Sequence, residues 1–269
     1  MYSCLKFKNN IYSQNGEDGI IQYIFDKLNI KNGNFIEFGA WDGKHLSNTY
    51  NLFLQNWDGI YIESDITKYN DLLNTFENNE RIKCINSMVG YKENNSLDNI
   101  IDNIDYTNKN FDIISIDVDG LDYYIFKAMK KYLPKVICIE VNAGHNPLYD
   151  KEIPIDIASN NIGQSMKIIC DVAEDKGYFP LCYTGNLFLI KNEYKDLFKE
   201  DIKSLKMIYI DFLRFSSKEG LQHLYNTFVV NKIYNEFNFN NDILNQYMIE
   251  YIKYNTLKQN RARMSFIKR

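Results

Sequence analysis

Seven short apolar runs punctuate the first 190 residues, and helix-like stretches separate most of them. Residues 34–38 and 59–63 read as strands, 81–87 as a weaker third, and 111–117 and 135–141 as the clearest two, since they are rich in Ile and Val. Strands so uniformly apolar belong in a parallel sheet covered on both faces. Apolar residues recur at helical spacing over 18–28, 44–55, 66–78 and 121–132, the last stopped by Pro134, and again over 163–176, ended by Gly177. This alternation predicts an α/β chain with a doubly wound, mostly parallel sheet. Residues 178–183 and 186–190 stand two positions apart across Thr184-Gly185, a hairpin signal, so the sheet is expected to finish with an antiparallel strand. From Asn192 onward there is no proline, and Leu205, Ile208, Phe212 and Phe215 again keep helical spacing. The chain therefore divides into a core domain, 1–191, and a helical extension, 192–269.

Composition narrows what such a chain can bind. A net charge of −4 gives no basic field for nucleic acid. The longest apolar runs, such as 136–139, are far shorter than the ~20 residues of a membrane span. The first ten residues lack the basic start and apolar centre of a signal peptide. Five cysteines, with no CxxC pair, offer neither disulfide nor zinc spacing. The expectation is a soluble, cytoplasmic protein.

The run Phe35-Ile36-Glu37-Phe38-Gly39-Ala40-Trp41-Asp42-Gly43 carries a strand into a glycine-bearing turn. In a doubly wound sheet the turn after the first strand is the usual nucleotide site, and Gly39 lets backbone approach a ligand where a Cβ would collide. The pattern is not GxGxxG, which a dinucleotide oxidoreductase would need. Glu37 would also repel a pyrophosphate, whereas a sulfonium or an α-ammonium would be attracted. About twenty residues later the second strand ends at Glu63, where an acid accepts hydrogen bonds from ribose hydroxyls. Taken together these residues favour S-adenosylmethionine over NAD. An oxidoreductase of Rossmann type and a non-catalytic nucleotide-binding scaffold are the alternatives.

The same residues sit inside longer motifs. Ser13-Gln14-Asn15-Gly16-Glu17-Asp18-Gly19-Ile20 is similar to an SQxGEDGI signature, Glu37 through Thr49 to an EFGxxDGxxxxNT turn, and Asn56-Trp57-Asp58-Gly59 through Glu63 and Asp65 to a GWxGxxIExD strand. Ser115-Ile116-Asp117-Val118-Asp119-Gly120-Leu121-Asp122-Tyr123-Tyr124, then 134–142, Gly163-Gln164-Ser165, Lys176-Gly177-Tyr178 and Asn186-Leu187-Phe188 continue the series in order. Over roughly 11–192 the chain thus resembles the class I S-adenosylmethionine-dependent methyltransferases, in particular an FkbM-like group; Asn56 departs from that group's usual Gly. The resemblance implies that Gln14, Glu37, Gly39 and Asp42 hold the cofactor near its methionine half. It puts the ribose on Glu63, the adenine beside Asn86 and Ser87, and Asp117 near the methyl group or the amino-acid moiety. It also implies a small polar acceptor methylated on O or N, such as a nucleotide-linked sugar or phosphoramidate precursor in capsule or surface-glycan biosynthesis.

A second constellation lies at the ends of the fourth and fifth strands. Asp117 and Asp119 share one strand face, and Glu140 shares one with Asn142. If the two strands are neighbours, Asp117, Asp119, Glu140 and Asn142 offer three or four hard oxygens, which suits Mg2+ or Mn2+. The other reading gives Asp117 a helix-capping role and Glu140 a contact to cofactor or substrate, with no ion. His145, in the loop after the fifth strand, joins Asp119 and Glu140 as a base for the acceptor proton. The extension is too rich in Phe, Tyr and Leu for a solvated appendage, so it covers either the crevice, the back of the sheet or a second copy of the chain. Its Arg214 and basic end (Lys258, Arg261, Arg263, Lys268, Arg269) would then face an anionic acceptor.

Overall fold

A computed structural model describes residues 3–142, 145 and 147–216. After a short 3-10 turn at Cys4–Phe7 come α1 (Glu17–Leu28), β1 (Asn34–Phe38), α2 (Tyr50–Leu54), β2 (Asp58–Glu63), α3 (Ile66–Thr75) and β3 (Ile82–Asn86). There follow α4 (Leu97–Asp102), β4 (Ile113–Ile116), α5 (Asp122–Ala128), β5 (Val136–Glu140), α6 (Ile155–Ala158) and α7 (Met166–Asp175). The hairpin β6 (Tyr178–Tyr183) and β7 (Asn186–Lys191) and the helix α8 (Leu205–Phe215) complete the described chain.

The strands form one sheet in the order β3-β2-β1-β4-β5-β7-β6. β7 runs antiparallel to both its neighbours, inserting between β5 and β6. The doubly wound, mostly parallel architecture and its closing hairpin are as the alternation predicts. Because successive side chains point to opposite faces, each strand feeds two cores. Ile36, Ile62, Ile114, Ile116, Ile137 and Leu189 meet α4, α5, α7 and α8 on one side, while Phe35, Tyr61, Ile113, Val136 and Phe188 meet α1, α2 and α3 on the other. These strand residues are almost completely buried, each contributing about 1.5–3 kcal/mol of hydrophobic stabilisation.

Four helices are shorter than their periodicity predicts, and in the two that lose most, α2 and α5, an acidic side chain has captured the backbone. The pattern over 44–55 gives a helix only at Tyr50–Leu54. Upstream, Asp42 accepts the Lys44 and His45 N–H groups and Glu37 accepts those of Asn48 and Thr49. Side-chain acceptors of this kind offer the backbone an alternative to the helix. In α5 the chain leaves the helix after Ala128, and the N–H groups of Lys130, Lys131 and Tyr132 turn to Asp98. Helix α8 packs on β6, with Phe212 4.6 Å and Tyr209 6.4 Å from the Tyr183 ring centre. The rest of the extension, including its aromatic series and basic end, lies outside the described residues.

Candidate active site

Strand order reverses between β1 and β4, which opens a crevice at the carboxyl ends of these two strands. Pairing registers set a row of residues abreast along this rim. Phe38 pairs with both Ile62 and Ile116, and Ile116 with Ile139, so the next residues, Glu63, Gly39, Asp117 and Glu140, stand side by side. Asn86, paired with Glu63, extends the row at one end, and Asn186, paired with Glu140, extends it at the other. Two residues deeper lies a second row, Tyr61, Glu37, Ser115 and Cys138.

Gly39 is held against the neighbouring strand. Its φ is +75°, and a Cβ built there would lie 1.8 Å from the Asp117 carbonyl oxygen. Only glycine fits both the conformation and the gap. Glu63 closes the turn that follows, accepting the Trp41 N–H at 2.8 Å and the Asp65 N–H at 2.8 Å. Asn86 donates its amide to the carbonyls of Glu63 and Ser64, and the Ser87 N–H reaches the Glu63 carbonyl. The large apolar side chains of Trp41, Ile66 and Met88 stay exposed on the segments just beyond β1, β2 and β3.

Glu37 is buried below this rim and bonded within the protein. It accepts Ser47 Oγ (2.7 Å), Thr49 Oγ1 (2.5 Å) and the Asn48 and Thr49 N–H groups. Burial raises its pKa and these donors oppose the rise. Its direct effect is therefore to shape the 47–49 turn, and any cation above it would feel it as a buried charge. Asn48 in turn donates to Ser115 Oγ, tying the turn to β4.

The densest charge lies over β4 and β5. One carboxylate oxygen each from Asp117, Asp119 and Glu140 falls within 4.8 Å of the others. The pKa values of Asp117 and Glu140 are both raised, first by burial and then by neighbouring carboxylates, Asp122 foremost for Asp117 and Asp117 foremost for Glu140. Asp122 lies behind them and is otherwise engaged. It accepts the Val118 N–H at 2.8 Å and the Gly120 N–H at 2.9 Å, and burial pushes it up to about 6. Those two bonds fix a turn in which Asp119 and Gly120 take φ values of +54° and +117°. Among the described residues no lysine or arginine forms an ion pair with Glu37, Glu63, Asp117, Asp119, Asp122 or Glu140.

His145 lies within the protein rather than in the crevice. It is 1% exposed, and Nε2 sits 2.8 Å from the Ile162 carbonyl, so Nε2 carries the hydrogen of that bond. Burial pushes its pKa down to about 4. A neutral ring fastened to a backbone carbonyl braces the loop after β5. Asn142 sends its amide to the same carbonyl, 2.9 Å away.

The N-terminal signature is a structural knot. Asp18 Oδ2 gathers the N–H groups of Ile11, Tyr12 and Ser13, each at 2.8 Å, and Ser13 Oγ at 2.7 Å. Glu17 is wholly buried; it accepts the Asn15 N–H and, from the β6–β7 turn, Thr184 Oγ1 at 2.7 Å. This fixes the loop that carries Gln14, which is itself exposed. Glu17 in this knot and Asn186 on the rim are two residues to which motif reasoning gave no role. Both stood within quoted motifs, and only the β5–β7 register shows that Asn186 lies beside Glu140.

No family model matches this chain, and none of the curated proteins does. Among solved structures, the chain is similar to a TehB-like SAM-dependent methyltransferase from Corynebacterium glutamicum, at 13% identity over 68% of this chain and 86% of that one, with a TM-score of 0.38. TrmK of M. capricolum, in complex with S-adenosyl-homocysteine, aligns at 16% identity over 82% and 92%, with a TM-score of 0.41. A putative S-adenosyl-L-methionine-dependent methyltransferase from Methanococcus maripaludis aligns at 15% identity over 64% and 83%, with a TM-score of 0.39. The likeness is slight and concerns fold alone. Among the described residues no helix is long and apolar enough to cross a membrane.

Proposed function

We propose that the chain is an S-adenosylmethionine-dependent methyltransferase whose cofactor lies across the β1–β4 switch point. The observation that carries this reading is the rim row itself. Gly39 packs against the Asp117 carbonyl at the switch point, and among the described residues the acids beside it have no lysine or arginine partner. Such a crevice favours a ligand with positive charge, as a sulfonium and an α-ammonium have, and disfavours a pyrophosphate. The ammonium end would lie at Asp117 over the buried charge of Glu37, with Gly39, Asp42 and the exposed Gln14 nearby. Glu63 would take the ribose hydroxyls, and Asn86 and Ser87 would border an adenine lying on Trp41, Ile66 or Met88.

The cofactor would supply an electrophilic methyl group. The chain's own work is to align the acceptor with it and to take the acceptor's proton. Asp119 or Glu140 is the base, since both carboxylates stand at the rim; burial and the Ile162 bond take His145 out of that role. The motif resemblance to FkbM-like enzymes supports an acceptor that is a small polar molecule carrying O or N, with a nucleotide-linked sugar or phosphoramidate precursor of a surface glycan as the first class to try. The helical extension would cover the acceptor or join two copies of the chain.

Isothermal titration with S-adenosylhomocysteine and with NAD tests the core of the reading. S-adenosylhomocysteine should bind with one site per chain and NAD should not. Binding of NAD alone would replace the methyltransferase with an oxidoreductase.

A further inference from the structure

We propose that Asp117, Asp119 and Glu140 hold one divalent cation, Mg2+ or Mn2+, with the side-chain carbonyl of Asn186 as a fourth oxygen, and that this ion seats an anionic acceptor. The ion's purpose rests on the methyltransferase reading above; its existence does not.

Three carboxylates alone would be a commonplace of protein surfaces. The fourth group makes this cluster different. Asn186 is 7% exposed, yet its Oδ1 is buried without a hydrogen-bond partner. It lies directly opposite Glu140 in the antiparallel β5–β7 ladder, so the two side chains rise from the same face of the sheet. A buried amide oxygen normally finds a donor. Here its neighbour is a carboxylate, which when ionised is also an acceptor only. Asn186 thus adds an amide oxygen, from the strand beside Glu140, to the three clustered carboxylates, and a cation is a group that can satisfy all four together.

The donor chemistry selects the ion. Carboxylates and an amide carbonyl are hard oxygen ligands, suited to Mg2+ and Mn2+, and no thiolate or imidazole joins them among the described residues. Six oxygens about 2.1 Å from Mg2+ lie roughly 3.0–4.2 Å apart. Carboxylates already within 4.8 Å reach that spacing by small side-chain rotations. The support is also built. Asp122 locks the turn bearing Asp119, and a Cβ on Gly120 would come within 2.3 Å of the Ala158 carbonyl, so this turn keeps its shape. Each carboxylate has two oxygens, so binding an ion through one leaves the other for the acceptor's proton or the cofactor's ammonium. An ion here also resolves a conflict of charge. A phosphate-bearing acceptor would be repelled by this acidic rim, but would be drawn to a cation held on it.

The test uses the full chain and Mn2+ alone, with free Mn2+ followed by electron paramagnetic resonance, and with S-adenosylhomocysteine titrated separately. One Mn2+ per chain, displaced by Mg2+, is expected. Asp119→Asn and Asn186→Leu should each weaken Mn2+ at least tenfold. If Asn186 held no ion, Asn186→Leu would replace an unsatisfied polar group with an apolar one, raising the melting temperature and leaving Mn2+ affinity unchanged. That result overturns the proposal, as does wild-type protein that ignores Mn2+ at millimolar concentration, or that binds a primary ammonium at the cluster and excludes Mn2+. Loss of S-adenosylhomocysteine binding with Mn2+ binding intact would instead refute the methyltransferase reading and leave the ion in place.

Discussion

Replacing Gly39 with Ala separates two physical costs that usually come together. Gly39 and Gly177 share a left-handed backbone, with φ of +75° and +80°, but a Cβ at Gly177 would meet nothing within 4 Å. Gly177→Ala therefore pays for conformation alone, about 1–2 kcal/mol. Gly39→Ala carries the same term and also drives a methyl to 1.8 Å from the Asp117 carbonyl oxygen, where carbon and oxygen normally keep about 3.3–3.6 Å. The atom in the way is backbone, so β1 and β4 must separate by about 1.5 Å at their ends to restore that contact. That movement strains the ladder between β1 and β4, each of whose hydrogen bonds is worth about 0.5–1.5 kcal/mol. Adding about 1–3 kcal/mol for overpacking brings the total to roughly 3–6 kcal/mol. Urea denaturation of the three proteins gives the stabilities, and melting temperature should fall by about 2–4 °C for each kcal/mol lost. S-adenosylhomocysteine affinity should fall in Gly39→Ala and hold in Gly177→Ala, because only the first displaces Asp117. Equal destabilisation by the two variants would refute the close approach as the reason for this glycine.

Glu63→Ala removes a carboxylate that orients the Trp41 and Asp65 N–H groups, and should weaken S-adenosylhomocysteine about 10–100-fold, the equivalent of one or two charged hydrogen bonds; unchanged titration in a folded variant would move the ribose elsewhere. Thr184→Val takes the hydroxyl from buried Glu17 and should cost about 1–3 kcal/mol in urea denaturation, with a loss below 0.5 kcal/mol counting against the N-terminal knot. His145, held near pKa 4, is neutral in the folded chain while the unfolded chain protonates near 6.5. Between these values the unfolded state binds more protons, so stability from this residue is lost as pH falls from about 6.5 toward 4, by roughly 3 kcal/mol in all. Subtracting the profile of His145→Gln isolates that slope, and parallel profiles would show the ring to be solvated. A chain ending at Ser216 should keep the sheet and bind S-adenosylhomocysteine, but lose acceptor turnover or oligomer mass by light scattering; a truncated chain normal in all three would remove the extension from the site.

The sheet was legible because its strands are buried on both faces, so apolar runs such as 113–116 and 136–139 could hardly be anything else. The turns after β1 and β2 were legible as turns because glycine and acid fall at fixed offsets there, as at Gly39 and Glu63. What stayed hidden was spent on local bonds. Nothing in the pattern of 44–55 says that Asp42 and Glu37 will take its first N–H groups, and nothing near His145 says that its ring will turn inward to the Ile162 carbonyl. The place of Asn186 was hidden for a different reason: it stood in a quoted motif, but its neighbour Glu140 is 46 positions away, and only the insertion of β7 between β5 and β6 brings them together.

The acidic rim also bears on how binding and stability are linked. Holding Asp117, Asp119, Asp122 and Glu140 at one edge costs the empty protein, and the raised pKa values of Asp117, Asp122 and Glu140 are a measure of that cost. The fold bears it through neutral bonds elsewhere: two backbone N–H groups on Asp122, four donors on Glu37, four on Asp18. None of these bonds depends on a cation, so the turns keep their shape whether or not the rim carboxylates hold one. A positively charged ligand then gains twice, from attraction to preformed carboxylates and from relief of their mutual repulsion, without first having to order the loops. The same arrangement predicts the direction of coupling. Any cation that binds here stabilises the folded chain by mass action, and two cations on this row help each other only while each leaves carboxylate oxygens for the other.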